Sequence, residues 1–182
     1  MWILLLVAAA LLVWIIAAFN ALVALRVRVQ NAWSDIDVQL KRRHDLIPNL
    51  VEAVRGYMQH ERSTLEAVTQ ARAQAVAAPS GDLPQRIAAE SALSGALGKL
   101  FAVAENYPQL RAVESVQLLQ EQLTSTENRI AFARQFYNDE VMKYNTAQST
   151  FPRNLFAGMF GFSQAAMFTA ADVERAAAAV KI

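Results

Sequence analysis

Two histidines, a basic run and a repeated dipeptide are the residues of this 182-residue chain whose types and spacing could do chemistry. His44 precedes Asp45 and His60 precedes Glu61, and with Asp37 or Glu52 they sketch a metal site. Sixteen residues separate the histidines, about 24 Å on a straight helix, so one ion could join them only if the chain doubled back. "HERST" lacks the second histidine of H-E-x-x-H. The expectation is therefore packed histidines, no metal and no cofactor, with a metal-dependent hydrolase as a distant alternative. Lys41-Arg42-Arg43 could hold an anionic lipid, a nucleotide or an acidic partner. It lies about 25 Å beyond Arg26 along a helix, past a Debye length from a membrane surface. A solvated face is expected, with Arg42 or Arg43 paired inside a helical bundle. "GKL" at 98–100 lacks the glycine and hydroxyl residue of a phosphate loop, and Ser94 has no evident His–acid partner in the sequence. Nothing here favours an enzyme.

The dipeptide is Tyr-Asn. It occurs at Tyr137–Asn138 and again at Tyr144–Asn145, two helical turns on, so both pairs share a helix face. Glu127 and Arg134 fall on or beside that face at the same spacing of seven. A seam this polar needs partners and can set helix register. The expected role is registry within a bundle, with recognition of a partner protein as the alternative.

The elements that must position these residues are helices. Glycine and proline are scarce, at six and five, and the composition is that of an all-α protein. Absence of cysteine excludes disulfides, thiol catalysis, cysteine metal sites and a lipid anchor on cysteine. A net charge of +1 gives no global field for nucleic acid. The first 25 residues carry no charged side chain. Trp2–Leu25 would span about 36 Å as a helix, enough to cross a bilayer. With no basic residue before it, the run is longer than a typical signal core, and a retained transmembrane helix is expected. Arg26 and Arg28 follow the span, which places the N-terminus outside and the rest in the cytoplasm. Within the span Ala17 and Ala21 form a small-xxx-small pair beside the polar Asn20, candidates for span association in a homo-oligomer.

Beyond the span, apolar residues recur at helical spacing from Val29 to Met58, with Asp37 and Lys41 spaced as an i, i+4 ion pair and Pro48 as a kink. Gly56 to Ser63 reads as a reversal, with Ser63 and Glu66 as a capping box. "AAPSGDLPQ", 77–85, reads as a loop, a third helix ends at Pro108, and a last one runs from about Gln109 to Ser149. Helix lengths of about 50, 24, 35 and 60 Å, alternately up and down, close on themselves. The fold expected is a transmembrane helix continuing into an antiparallel four-helix bundle. That path returns Phe151 toward the membrane. Phe151, Leu155, Phe156, Met159, Phe160 and Phe162 then form an aromatic, glycine-containing segment, costly in water unless covered. They are candidates for the bilayer interface or for packing beneath the bundle or a neighbour.

Four stretches, "DVQLKRRHDLIPNLVEAVRGY", "AENYPQLRA", "RQFYNDEVMKYN" and "FPRNLFAGMFGF", occur in that order. Together they resemble the LemA family. The resemblance covers residues 20 to about 168 and implies a single-span bacterial membrane protein with a helical bundle. It supplies no reaction. The division expected is 1–25 transmembrane anchor, 26–150 bundle and 151–182 aromatic and alanine-rich tail. The role expected is binding other proteins or organising membrane-associated assemblies, with a membrane-shaping homo-oligomer as the rival. Partners expected are the lipid bilayer and proteins, not nucleic acid.

Overall fold

The computed structural model describes residues 1–79 and 81–168. Residues 169–182, the alanine-rich part of the tail, lie outside them. Helices α1 (Trp2–Arg55), α2 (Arg62–Ala77), α3 (Leu83–Ala104), α4 (Glu114–Ser149) and the single turn α5 (Asn154–Ala157) follow one another, with a 3-10 turn at Pro108–Ala112 and no strand among the described residues. The chain divides into two compact units, one of residues 1–36 with 132–167, the other built on residues 37–131.

The second unit is the four-helix bundle. The C-terminal part of α1, α2, α3 and the N-terminal part of α4 reverse direction at short turns. Asp37 pairs with Arg86, Arg43 with Glu90 and Glu61 with Tyr107, so α1 and α3 climb together, as alternate helices of an up-and-down bundle must. Its core holds Ile47, Leu50, Val54 and Met58 from α1 and its turn, Leu65 and Val68 from α2, Leu93, Leu97 and Leu100 from α3, and Val116 and Leu123 from α4. The expected reversal falls between Arg55 and Arg62.

Local details refine the sequence expectations, and several after the first correct them. The helical run passes through Pro48. A proline has no N–H for the carbonyl four residues back, which is that of His44. Arg72 of α2 supplies the donor instead, its Nε 2.7 Å from the His44 carbonyl oxygen. The capping box is not used: α2 is capped at Glu61 with no side-chain cap bond, and Ser63 lies inside the helix. The 77–85 loop is shorter, because Asp82 caps α3 by accepting the Gln85 N–H at 3.0 Å. Residues 108–112 tighten into the 3-10 turn, so α4 starts at Glu114 rather than Gln109. Asp37 does not pair with Lys41. Lys41 bonds Asp45 at 2.9 Å and Asp37 bonds Arg86 at 2.5 Å, a contact from α3 that local spacing could not reveal.

The first unit sets the N-terminal part of α1 against the C-terminal part of α4 and the chain after it. Ala18, Leu22, Val29, Ala32 and Ile36 form the buried stripe of α1. Tyr137, Val141 and Tyr144 are buried on α4. Trp33 meets Tyr137 edge-on, with ring centroids 5.5 Å apart.

Candidate functional site

In the bundle, all four helices converge on one charged layer. Arg43, 1% exposed, is delivered by α1 and engages Glu90 of α3, itself 2% exposed. The same guanidinium donates to Ser94 Oγ at 2.9 Å and to Glu127 of α4 at 2.6 Å. His44 Nε2 lies 3.0 Å from the other Glu90 oxygen. Arg72, from α2, reaches the His44 carbonyl. Burial pushes the Glu90 carboxyl up. The His44 hydrogen bond and the Arg43 charge outweigh it and hold the group below the ordinary glutamate value. One buried arginine fork from α1 is thus bonded to carboxylates of two other helices, α3 and α4.

The charged layer takes over the residues that looked most chemical in the sequence. Of the basic run, Arg43 is buried and paired while Lys41 and Arg42 are exposed. Ser94 accepts from Arg43, and His44 is committed through Nε2 to Glu90. His60 is exposed in the α1–α2 turn, and Glu52 pairs with Arg55 at 3.1 Å. Among the described residues no three metal-ligating side chains gather. Glu90 escaped the sequence reading. Its signal was there: an acidic residue three after Ile87 and three before Leu93, on the core-facing row of α3.

In the first unit, Tyr137, Tyr144 and Asn145 of the Tyr-Asn repeat hold a strap without regular structure, residues 162–167. Tyr137 Oη donates to the Ala166 carbonyl at 2.9 Å and Tyr144 Oη to that of Ser163 at 3.0 Å. Asn145 makes a reciprocal pair with Ala165, Nδ2 to carbonyl and amide N–H to Oδ1, both 2.9 Å. Gln148 Nε2 donates to the Phe162 carbonyl at 2.6 Å. Burial raises both tyrosine hydroxyls above their usual value, and at Tyr144 the Arg26 charge works against it, so both stay protonated donors near neutral pH. Asn138 and Arg134 are half-buried on the same helix. Glu127, the remaining member of the predicted polar row, bonds Arg43 in the bundle.

Before the strap, the aromatic segment folds onto α1. Phe156 stacks edge-on with Trp14 at 6.0 Å, and Phe160 and Phe162 with Phe19 at 5.2 and 5.6 Å. Phe162 is buried and Phe156 half-buried, while Phe151, Leu155, Met159 and Phe160 stay exposed. Ala17 and Asn20 are also exposed on α1, and Ala21 is half-buried.

A third feature belongs to the bundle. A cleft of about 760 Å³ opens between the end of α1 and the start of α2. Val51, Met58 and Leu65 give it apolar walls, and Arg55, Gln59, Arg62, Glu66, Thr69 and Gln70 give it polar ones.

Helix α1 is long and apolar enough to cross a membrane. Helix α3 passes the same length and composition test, but it packs Ile87, Leu93, Leu97 and Leu100 into the bundle core. Magnetosome protein MamQ 2 of Paramagnetospirillum magneticum is 26% identical over 174 residues, covering 82% of this chain and 64% of that protein. MamQ of Magnetospirillum gryphiswaldense is 25% identical over the same shares. This chain thus spans less than two thirds of the length of those curated relatives. Protein LemA of Metamycoplasma hominis is 26% identical over 147 residues, covering 81% of this chain and 67% of that protein. The LemA family model matches residues 32–182, which include the charged layer, the Tyr-Asn pairs and the strap. This chain, a membrane-associated helical protein, belongs to the LemA family.

Proposed function

We propose that this chain is a non-enzymatic, membrane-anchored bundle protein that binds other proteins and organises membrane-associated assemblies. The observation that carries this reading is the α1–α2 cleft. Its floor is the edge of the core at Val51, Met58 and Leu65 and its margin is polar, a concave surface that a partner's amphipathic helix can cover with hydrogen-bonding groups at the rim. Relatives named as magnetosome proteins support a place in a membrane-bound assembly. The rival reading, a membrane-shaping homo-oligomer, draws on the exposed Ala17 and Asn20 of the span. One experiment separates the two. A photo-crosslinking residue is placed at Gln59 in the cleft, or at Asn20 in the span, and illuminated in native membranes. The expected result is a discrete adduct of Gln59 with a different protein. Self-adducts alone at both positions would favour the homo-oligomer, and no adduct at Gln59 would overturn the partner-binding role.

Orientation follows from charge. Arg26 and Arg28 flank the apolar run, and basic flanks are retained in the cytoplasm. The bundle is therefore assigned to the cytoplasmic side of a bacterial inner membrane, with the N-terminus outside. A reporter fused after Ile182 is expected to be active in its cytoplasmic form, and activity of a periplasm-only reporter there would reverse the assignment.

A further inference from the structure

Three observations about residues 150–162 converge. The first is position. Counted from Arg26, Phe19 lies about 10 Å and Trp14 about 18 Å along the apolar part of α1, and half of a hydrocarbon core is about 15 Å. Phe160 and Phe162 touch Phe19, and Phe156 touches Trp14. The second is the backbone. The N–H groups of Asn154, Leu155, Phe156, Ala157, Phe160, Gly161 and Phe162 all donate to carbonyls of residues 150–158, at 3.0–3.2 Å. Where regular structure ends, α4 side chains take over and bond the strap's carbonyls and the Ala165 N–H. This pairing of most of the segment's donors is not needed in water, whereas in hydrocarbon, where an unpaired backbone group costs several kcal/mol, it lowers the cost of a turn. The third is the outward face, where Phe151, Leu155, Met159 and Phe160 are 74%, 58%, 80% and 47% exposed.

We propose that residues 151–162 form a re-entrant wedge inserted in the hydrocarbon of the leaflet on the Arg26 side, with lipid acyl chains as the partner of its outward face. In water this apolar face would be an unfavourable patch, while against acyl chains it is matched. Arg153 is the only charge between Phe151 and Phe168, and its long apolar stem lets the guanidinium snorkel toward the headgroups. A wedge that enters one leaflet expands that leaflet and not the other, so the chain acts on the bilayer as well as hanging from it. This inference requires α1 to span the membrane and is independent of the cleft's partner.

The native chain has no cysteine, so one introduced cysteine carries one label. The full chain with Met159→Cys, or separately Phe160→Cys, bears a nitroxide and is placed in phosphatidylcholine–phosphatidylglycerol vesicles. Val13→Cys is the in-span reference and Glu121→Cys the aqueous one. Collisions with oxygen, which concentrates in hydrocarbon, are compared with collisions with a water-soluble nickel chelate. Both wedge positions are expected to lose nickel collisions to the level of Val13→Cys while keeping high oxygen collisions. Nickel collisions at the level of Glu121→Cys would mean an aqueous loop. Loss of both kinds would mean a face covered by protein. Either result overturns the proposal.

Discussion

Replacing Arg43 by Met is expected to cost about 3–5 kcal/mol of stability, because it leaves the Glu90 carboxylate buried without its cation. His44 remains as a partner of Glu90, and Glu127, whose side chain is 49% exposed, can turn to water. The loss therefore centres on Glu90. For a chain of this size that is a melting temperature lower by about 6–20 °C, read by circular dichroism in detergent. The double variant Arg43→Met with Glu90→Leu should recover most of it, because two apolar side chains need no compensation. A single-variant loss below about 1 kcal/mol would show that water reaches Glu90 and that the layer is not a buried pair. The pH dependence has a definite sign. The Glu90 carboxyl lies below its ordinary value in the folded chain. Its stabilisation is thus complete above the unfolded carboxylate range, about pH 5 and higher, and is lost as pH falls through the lowered folded value. Acidification from pH 5 should lower the melting temperature of the native chain more than that of the double variant.

Substituting Asn145 by Ala is the second large expectation. It removes both bonds of the reciprocal pair and leaves the Ala165 N–H and carbonyl without their partner. An unmade pair of this kind costs about 1–3 kcal/mol, here borne by the strap rather than by the whole fold. Hydrogen exchange at the strap amides should accelerate about 10- to 100-fold while exchange in the bundle is unchanged. Asn145→Asp keeps the acceptor for the Ala165 N–H and loses the donor, so its acceleration should be intermediate. Unchanged exchange at Ala165 in the alanine variant would mean that the two tyrosines and Gln148 hold the strap without Asn145.

How much of this was readable in the sequence depended on the range of each interaction. The helices, the reversal after Arg55 and the end of α4 near Phe151–Pro152 were readable because proline, glycine and the helical period act locally. On α4 the row Val116, Leu119, Leu123, Ile130, Tyr137, Val141 and Tyr144 falls at helical spacing for the same reason, and all of it is buried except Leu119, which is half-buried. The partners were not. Arg43 and Glu90 are 47 residues apart, and Tyr137 and Ala166 are 29 apart. No spacing rule operates at those separations. Asp37 shows how local logic misleads: Lys41 is at the right helical offset, yet Arg86 from another helix takes the carboxylate. The strap was invisible for a further reason. After Phe162 its sequence, Ser163-Gln164-Ala165-Ala166-Met167, has no pattern of its own, and the side chains that bond its backbone are on α4.

That last asymmetry constrains how the segment can drift. Helix α4 grips carbonyl oxygens and one amide of the strap, groups that every residue type except proline carries alike. Side-chain replacements between 163 and 166 leave each of these bonds where it is. A one-residue insertion moves every acceptor by about 3.3 Å and misses them all. The helix is a ruler for its own tail: it measures length and is indifferent to spelling.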